Sequence, residues 1–302
     1  MIVEKMICLF LTAVLLTQDG KAQNEEEKLF SFGVITDVQY ADVETVGKRN
    51  YRGSLAILDS TLKKLNEYDL EFTVNLGDLI DRDFGSFERP LAILENSNAN
   101  IYHVWGNHDF SVKDELKGQV GKKLENKRGY HALEKGDFVF LVVNGMDISL
   151  EGHPINSTNY KMAESLMEEL EANGANNAKP WNGGIGKTQL DWLVKQSEDA
   201  HRNGKKVVVF CHYPLFPENG LHLLNHKEVY EKLSETGSLV AWFSGHHHEG
   251  NYVKDEMGIH HLTFQGIVEA ETNVLGAILS VYQNKLVVHG IGHEKDRILE
   301  FR

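Results

Sequence analysis

The chain has 302 residues, of which 41% are hydrophobic, 9% aromatic and 25% charged. These are ordinary globular proportions that supply a sizeable core and exclude a disordered or fibrous chain. A formal net charge of −13 argues against nucleic acid as a partner, because a phosphate backbone is bound through Lys and Arg that neutralise it.

The N-terminus reads differently from the rest. Met1 to Lys5 carry charge, Met6 to Thr17 are almost wholly apolar, and small and polar residues lead to Lys21, Ala22 and Gln23. That order predicts a secretory signal peptide over 1–23, and an apolar run of about 12 residues is too short for a stable membrane anchor. A single domain over 24–302 remains, and the expected location is secreted or periplasmic. Cys8 lies inside the apolar run, so it is not placed to carry a lipid. Without it Cys211 is the one remaining cysteine, and no intrachain disulfide can form.

Five short apolar runs follow: Phe32–Thr36, Phe72–Leu76, Ile101–Trp105, Val207–Cys211 and Leu239–Phe243. Rich in Val, Ile and aromatic residues and closed by Gly or polar residues, they read as buried strands. Leu55, Leu58, Leu62 and Leu65 mark one helical face between the first two. Leu91 with Leu94, and Leu190 with Leu193 and Val194, mark two further helices. Strands alternating with helices predict a largely parallel sheet, in an α/β architecture of two packed sheets with helices outside. Two hairpins are expected, one around Lys135-Gly136-Asp137 and one around Gln283-Asn284. The stretch 155–186 interrupts the rhythm with an acidic amphipathic helix, its apolar face placed on Met162, Leu166 and Leu170, and then an Asn- and Gly-rich loop. It reads as an insertion or lid, or equally as a solvated excursion.

Each apolar run passes directly into residues able to bind metal: Asp37 and Gln39, Asp78, Asn107 and His108, His212, and His246 and His248. A lone Asp after a strand is usually a helix cap and a lone His is usually a surface or core residue. Five coincidences at five strand ends are another matter, because the carboxyl ends of parallel strands converge on one edge where ligands bind.

The segments Asp37-Val38-Gln39, Gly77-Asp78-Leu79-Ile80-Asp81, Gly106-Asn107-His108-Asp109, Cys211-His212 and Gly245-His246-His247-His248 resemble the ordered blocks of the calcineurin-like metallophosphoesterases. This resemblance implies a four-layer αββα sandwich with a binuclear metal site at the C-terminal ends of the central strands. Where the common block has His, this chain has Gln39. That departure, with Tyr40, Ala41 and Asp42 following, is similar to the manganese-dependent ADP-ribose/CDP-alcohol diphosphatases, as is the stretch from Gly183 to Leu193.

The resemblance assigns Asp37, Gln39 and His248 to one metal and Asn107, His212 and His246 to the other, with Asp78 bridging. Mixed carboxylate, amide and imidazole donors suit Mn²⁺, Fe²⁺, Co²⁺ or Zn²⁺, and the neutral oxygen of Gln39 tilts the first site toward Mn²⁺. His108 is expected to face substrate, where it protonates the leaving oxygen or stabilises charge on the phosphoryl group, and the resemblance proposes Asp81 as the carboxylate that holds its other nitrogen. Arg82 offers a phosphate contact, or else a surface ion pair with Asp83 or Glu88.

The expected activity is cleavage of the phosphoanhydride of a nucleotide diphosphate derivative. Phosphomonoester or phosphodiester hydrolysis is a second reading, and a non-catalytic binding module on the same fold a third, which gives no physical need for seven ligands. Three motifs are set aside. Gly186-Lys187-Thr188 lacks the first Gly and the preceding strand of a phosphate-binding loop. His247 should point away from its two neighbours in an extended stretch. Asn156-Ser157-Thr158 is a glycosylation sequon only in a eukaryotic secretory pathway. Mass spectrometry of the native protein should find its first residue close to Asn24, and an intact Met1 on soluble protein would overturn the signal-peptide reading.

Overall fold

The structure, a computed structural model, describes residues 26–301; the segment 1–23, read above as a signal peptide, lies outside the described residues. Strands β1 (Phe30–Ile35), β2 (Phe72–Asn75) and β3 (Asn100–His103) run parallel in one six-stranded sheet. The antiparallel strands β12 (Gly276–Val281), β13 (Lys285–Ile291) and β14 (Arg297–Glu300) complete it in the order β14-β13-β12-β1-β2-β3. A second six-stranded sheet contains β4 (His131–Lys135), β5 (Phe138–Val143), β8 (Lys206–Cys211), β9 (Leu239–Ser244), β10 (Asn251–Lys254) and β11 (His260–Thr263). Its order is β10-β11-β9-β8-β5-β4, with the four central strands parallel. Two short strands, β6 (Ile148–Ser149) and β7 (Gly183–Gly184), pair apart from both sheets.

The period-2 alternation of side chains explains why two sheets pack. On one face Phe32, Val34, Phe72, Phe140, Phe210 and Phe243 share a core with Leu279 and Val288. Phe32 stacks on Phe72 at 4.9 Å and meets Phe140 edge-on at 5.5 Å, the offset and T-shaped contacts that aromatic rings prefer. The alternate residues Val139, Leu141, Val143, Val207 and Val209 face outward and share a second core with Leu190, Leu193, Val229 and Leu233. These come from the helices Lys187–Arg202 and His226–Ser234. The helix Ser54–Leu65 buries Leu58, Leu62 and Leu65, and Leu65 reaches the first sheet at Gly33. Helices therefore cover both outer faces, in the layered α/β arrangement expected.

Several details differ from the sequence reading. The ligand-bearing strands do not lie in one sheet: three belong to the first and two to the second, so their ends meet across the top of a sandwich. Strands β10, β11 and β14 were not anticipated, being four residues each with no sustained apolar run. In the helix Thr158–Ala172 the buried residues are Ala163 and Met167, while Met162 is 49% exposed. Leu166 and Leu170 pack as expected against a small core of Met167, Ala178 and Leu224, so of the expected apolar face only Met162 turns outward. No helix among the described residues is long and apolar enough to cross a membrane. Replacing Phe140 by Ala should lower the unfolding free energy by about 3–5 kcal/mol, whereas Met162→Ala should change it by less than about 0.5 kcal/mol; chemical denaturation of both variants checks the pair.

Candidate metal centre

The loops that leave β1, β2 and β9 turn sharply. Asp37, Gln39 and Asp78 have φ of 51°, 43° and 55°, and His246 after β9 has 67°, a left-handed conformation uncommon outside glycine. Such backbone persists only where the surroundings over-determine it. Here the backbone N–H of Asp37 donates to Gly77 O and that of Gln39 to Asp78 O, at 3.0 and 2.8 Å. Close approach demands glycine at two points. A Cβ on Gly106 would stand 2.2 Å from Asp78 Oδ1, and one on Gly245 2.4 Å from Asp37 Oδ2.

Asp109 ties the second and third loops together. Its carboxylate accepts the backbone N–H of Gly106, Asp78 and Leu79 at 3.0, 3.1 and 2.8 Å, and that of Ile80 at 3.4 Å. Burial and the nearby Asp78 charge push its carboxyl up to about 7, against the pull of those N–H groups. In the sequence Asp109 stands out only as part of a motif; its role is to hold the loops that carry Asp78 and Asn107.

The seven side chains singled out in the sequence meet in one buried cluster. His248 Nε2 lies 3.3 Å from Asp37 Oδ1 and 3.1 Å from the Gln39 amide. His212 Nε2 lies 3.3 Å from Asp78 Oδ2 and 3.3 Å from Asn107 Oδ1. Asp78 Oδ2 also receives the Gln39 amide at 3.1 Å, so one carboxylate oxygen touches a member of each group. Ligand atoms of Asp78, His212 and His246 fall within 4.8 Å of one another.

Hydrogen bonds on the far side of each ring decide which nitrogen is free. His212 Nδ1 donates to Leu76 O at 2.9 Å and His248 Nδ1 to Glu269 Oε1 at 2.9 Å, so both present Nε2 inward. His246 is the reverse. Its Nε2 donates to Asn182 Oδ1 at 3.0 Å. The Asn182 amide cannot turn, because its Nδ2 already donates to Asn177 O and Gly220 O, each at 2.9 Å. His246 therefore presents Nδ1. Glu269 and Asn182 were missed in the sequence because nothing local distinguishes a carboxylate or amide that serves a distant ring.

Whether this cluster suits divalent ions is tested by its orphan atoms. Asp37 Oδ1 and Gln39 Oε1 are buried with no hydrogen-bond partner, which is costly unless a cation faces them. No Lys or Arg pairs with Asp37 or Asp78 at ion-pair distance among the described residues. Burial alone would raise Asp37, but the His248 hydrogen bond and charge, with His212 and Thr36, hold it well below the usual range; Asp78 is held at about 2 in the same way, His212 and His108 opposing its burial. Two ionised carboxylates, two amide oxygens and three imidazoles form a donor set that fits two divalent ions.

Above the cluster is a cavity of about 610 Å³ lined by Arg49, Asn107, His108, Glu151, Trp181 and His247 among others. His108 Nδ1 is 3.0 Å from Asp81 Oδ1, an ion-pair distance reached off the line of a ring N–H. Burial opposes the charged form of His108, but Asp78 and Asp81 outweigh it and raise its pKa. Arg82 does not belong here. Its guanidinium stacks 4.9 Å from the Tyr51 ring and it is not among the residues that line the cavity. The cavity arginine is Arg49, whose Nη1 is 3.3 Å from His108 Nε2 and whose Nε is 3.6 Å from Glu269. It sits in a loop, away from any strand end, so nothing in the sequence pattern marks it. Lys187 of the discarded phosphate-loop motif pairs with Asp191 on the helix surface. His247 receives the Asn219 amide at 3.0 Å and faces the cavity, where an exposed or packing role was expected.

Residues 30–250 match the family model of the calcineurin-like phosphoesterases. The chain belongs to that family. It is 30% identical to a manganese-dependent ADP-ribose/CDP-alcohol diphosphatase of Xenopus laevis, the match covering 93% of each chain. Proteins of the same name from Homo sapiens and Arabidopsis thaliana are 27% and 29% identical, covering 92% and 87% of this chain and 95% and 94% of theirs. The phosphoesterase fold is also that of a dimetal phosphatase from Danio rerio, with a TM-score of 0.81, 24% identity and coverage of 91% of this chain and 100% of that one.

Glu269→Gln keeps the shape but removes the charge that orients His248, and such partners are worth about 10- to 100-fold in metal affinity. The concentration of Mn²⁺ giving half-maximal activity should rise by that factor; an unchanged value would leave Glu269 with a packing role only.

Proposed function

We propose that this phosphoesterase is a diphosphatase that splits the phosphoanhydride of nucleotide diphosphate derivatives of the ADP-ribose or CDP-alcohol class, with Mn²⁺ as its favoured metal. The observation that carries this reading is Gln39, an amide placed in the ring of donors where the common pattern has imidazole. The relatives that share most of the chain's length bear names of that activity. A cavity of about 610 Å³ is of the size that takes a nucleotide-scale ligand.

In this reading Asp37, Gln39 and His248 hold one ion, Asn107, His212 and His246 the other, and Asp78 both. When bound, two such ions supply charge to the phosphoryl oxygens and lower the pKa of water. The remaining work falls to the chain. Arg49 offers a planar cation to a second phosphate, a geometry matched to bidentate contact. His108 delivers a proton from its Nε2 to the leaving oxygen, while Asp81 supports the charged ring from the Nδ1 side. Trp181, 42% exposed at the cavity wall, provides an apolar face for a base or sugar. The signal-like pattern over residues 1–23 supports action outside the cytoplasm.

His108→Ala should retain metal and lower kcat by roughly 10² to 10⁴, the range for a positioned acid. Asp81→Asn should act in the same direction, and the double variant should lose less than the product of the two, because residues working as one unit lose their effect together. Loss of bound metal in His108→Ala would show that this ring is a ligand instead.

The substrate and metal claims are tested through Gln39. An amide oxygen binds late first-row ions less tightly than imidazole, so Gln39→His should move activity from Mn²⁺ toward Zn²⁺, Fe²⁺ or Co²⁺. Nucleotide diphosphates should remain better substrates than p-nitrophenyl esters in both forms, since the cavity is untouched. Metal dependence identical to wild type would remove Gln39 from the ligand set; monoesters hydrolysed faster than any diphosphate would overturn the substrate class.

A further inference from the structure

A second group of ligand-type side chains lies outside the catalytic cluster, on the segment that leads into the helix His226–Ser234. Glu218, His222 and His226 follow one another at intervals of four, and ligand atoms of all three fall within 4.8 Å of one another. His222 is 0% and His226 5% exposed. The Nε2 atoms of both are buried without a hydrogen-bond partner. Unpartnered buried ring nitrogens are rare and call for an explanation.

The tautomer of His226 sharpens the point. Its Nδ1 lies 3.2 Å from Leu223 O, and a carbonyl only accepts, so Nδ1 carries the proton and Nε2 presents a lone pair. That lone pair stands 3.2 Å from Glu218 Oε1. Two electron-rich atoms at that distance need a second proton or a cation between them. Burial opposes the second proton and holds His226, like His222, below the ordinary imidazole range. The separation itself suits a metal: ligands bound to tetrahedral zinc at 2.0–2.1 Å stand about 3.3 Å apart.

We propose that Glu218, His222 and His226 form a structural site for a borderline divalent ion of the Zn²⁺ type, separate from the catalytic pair. Two imidazoles and one carboxylate leave a fourth position for water, and the three residues between the two histidines fall in the usual range for paired zinc ligands. Two contacts must yield. Gly220 N–H approaches His222 Nδ1 at 3.3 Å, a long bond that has to open if Nε2 becomes the ligand and Nδ1 takes the proton. Lys227 Nζ stands 3.8 Å from Glu218, but both side chains are exposed and the lysine is free to swing away.

The site would fasten a segment that walls the catalytic cavity. Leu221 lines that cavity, Asn219 donates to His247, and Gly220 O is one of the acceptors that fix Asn182 and through it His246. The proposal does not depend on which phosphate compound is hydrolysed.

The test uses the full-length protein, stripped with chelator, dialysed against Zn²⁺ and counted for metal by atomic emission. Wild type should hold one more equivalent of Zn²⁺ than the His222→Ala/His226→Ala variant. Asp78→Asn should lower the count while leaving that equivalent in place. Where the double variant fails to fold, judged by near-ultraviolet circular dichroism, Glu218→Gln serves instead: its carboxylate is at the surface, and it should weaken the corresponding Zn²⁺ titration step at least tenfold. Equal counts in wild type and the folded double variant, or an unaltered titration in Glu218→Gln, would overturn the site.

Discussion

Asp37 and Asp78 are both fully buried and both ionised, and among the described residues neither has an arginine or lysine at ion-pair distance. Removing a carboxylate from water costs several kcal/mol even after relaxation, so a fold that buries two side by side must supply positive charge from elsewhere. Without metal, the rings around them supply it as protons. Burial works against the imidazolium form of His212 and His248, yet Asp78 and Asp37 pull each up to about 9. His246, buried beside the charged His212, is held well below the ordinary value. Protons and metal ions thus compete for the same inward-facing lone pairs, and metal binding must release protons and weaken as pH falls. The sign for the metal-free chain follows: a raised histidine pKa stabilises the fold fully below the unfolded value, and that contribution fades as pH rises toward about 9.

The same constraint explains where the backbone is strained. Ligand oxygens and nitrogens approach closely only if the loops after the strands reverse within one or two residues, and Asp37, Gln39, Asp78 and His246 adopt positive φ to do so. Each such residue costs of order 1 kcal/mol or more. Asp109 offsets part of that by collecting four backbone N–H groups on one carboxylate, and the sandwich below holds the turns in place through its aromatic core. The helices and the inter-sheet phenylalanines therefore contribute to the site at a distance, as a platform stiff enough to hold unfavourable turns.

What could be read from the sequence follows from this division. The apolar runs that became β1, β2, β8 and β9 are almost wholly buried and so stand out as continuous stretches, the run at β3 is partly buried, and metal-type residues come directly after all five. Those ligands were legible because strand end and chemistry coincide in sequence. Glu269, Asn182 and Arg49 were not legible, since each acts on a partner brought close only by folding: Glu269 on a ring 21 residues away, Asn182 on one 64 away. Arg82 was chosen because it follows Asp81, but the positive φ at Arg82 turns the chain and sends the side chain to Tyr51. Adjacency in sequence misled where the backbone reverses. The strands β10, β11 and β14 escaped for a different reason: each has only four residues, β10 and β14 lie partly exposed at sheet edges, and β11, though buried, carries His260, His261 and Thr263 around a single Leu.

The acidic character of the chain gains meaning at the cavity. Glu151, Glu249 and Glu269 line it with Arg49, so the protein alone offers an anionic phosphate little net attraction. Positive charge enters chiefly with the ions that the buried carboxylates retain, which confines binding of a phosphate group to the loaded site. Arg49 can then act on orientation more than on affinity, because Glu269 already holds its Nε from one side. The arrangement favours a substrate with two phosphates, one over the ions and one within reach of the guanidinium, over a simple monoester that would leave Arg49 facing only the Glu269 carboxylate.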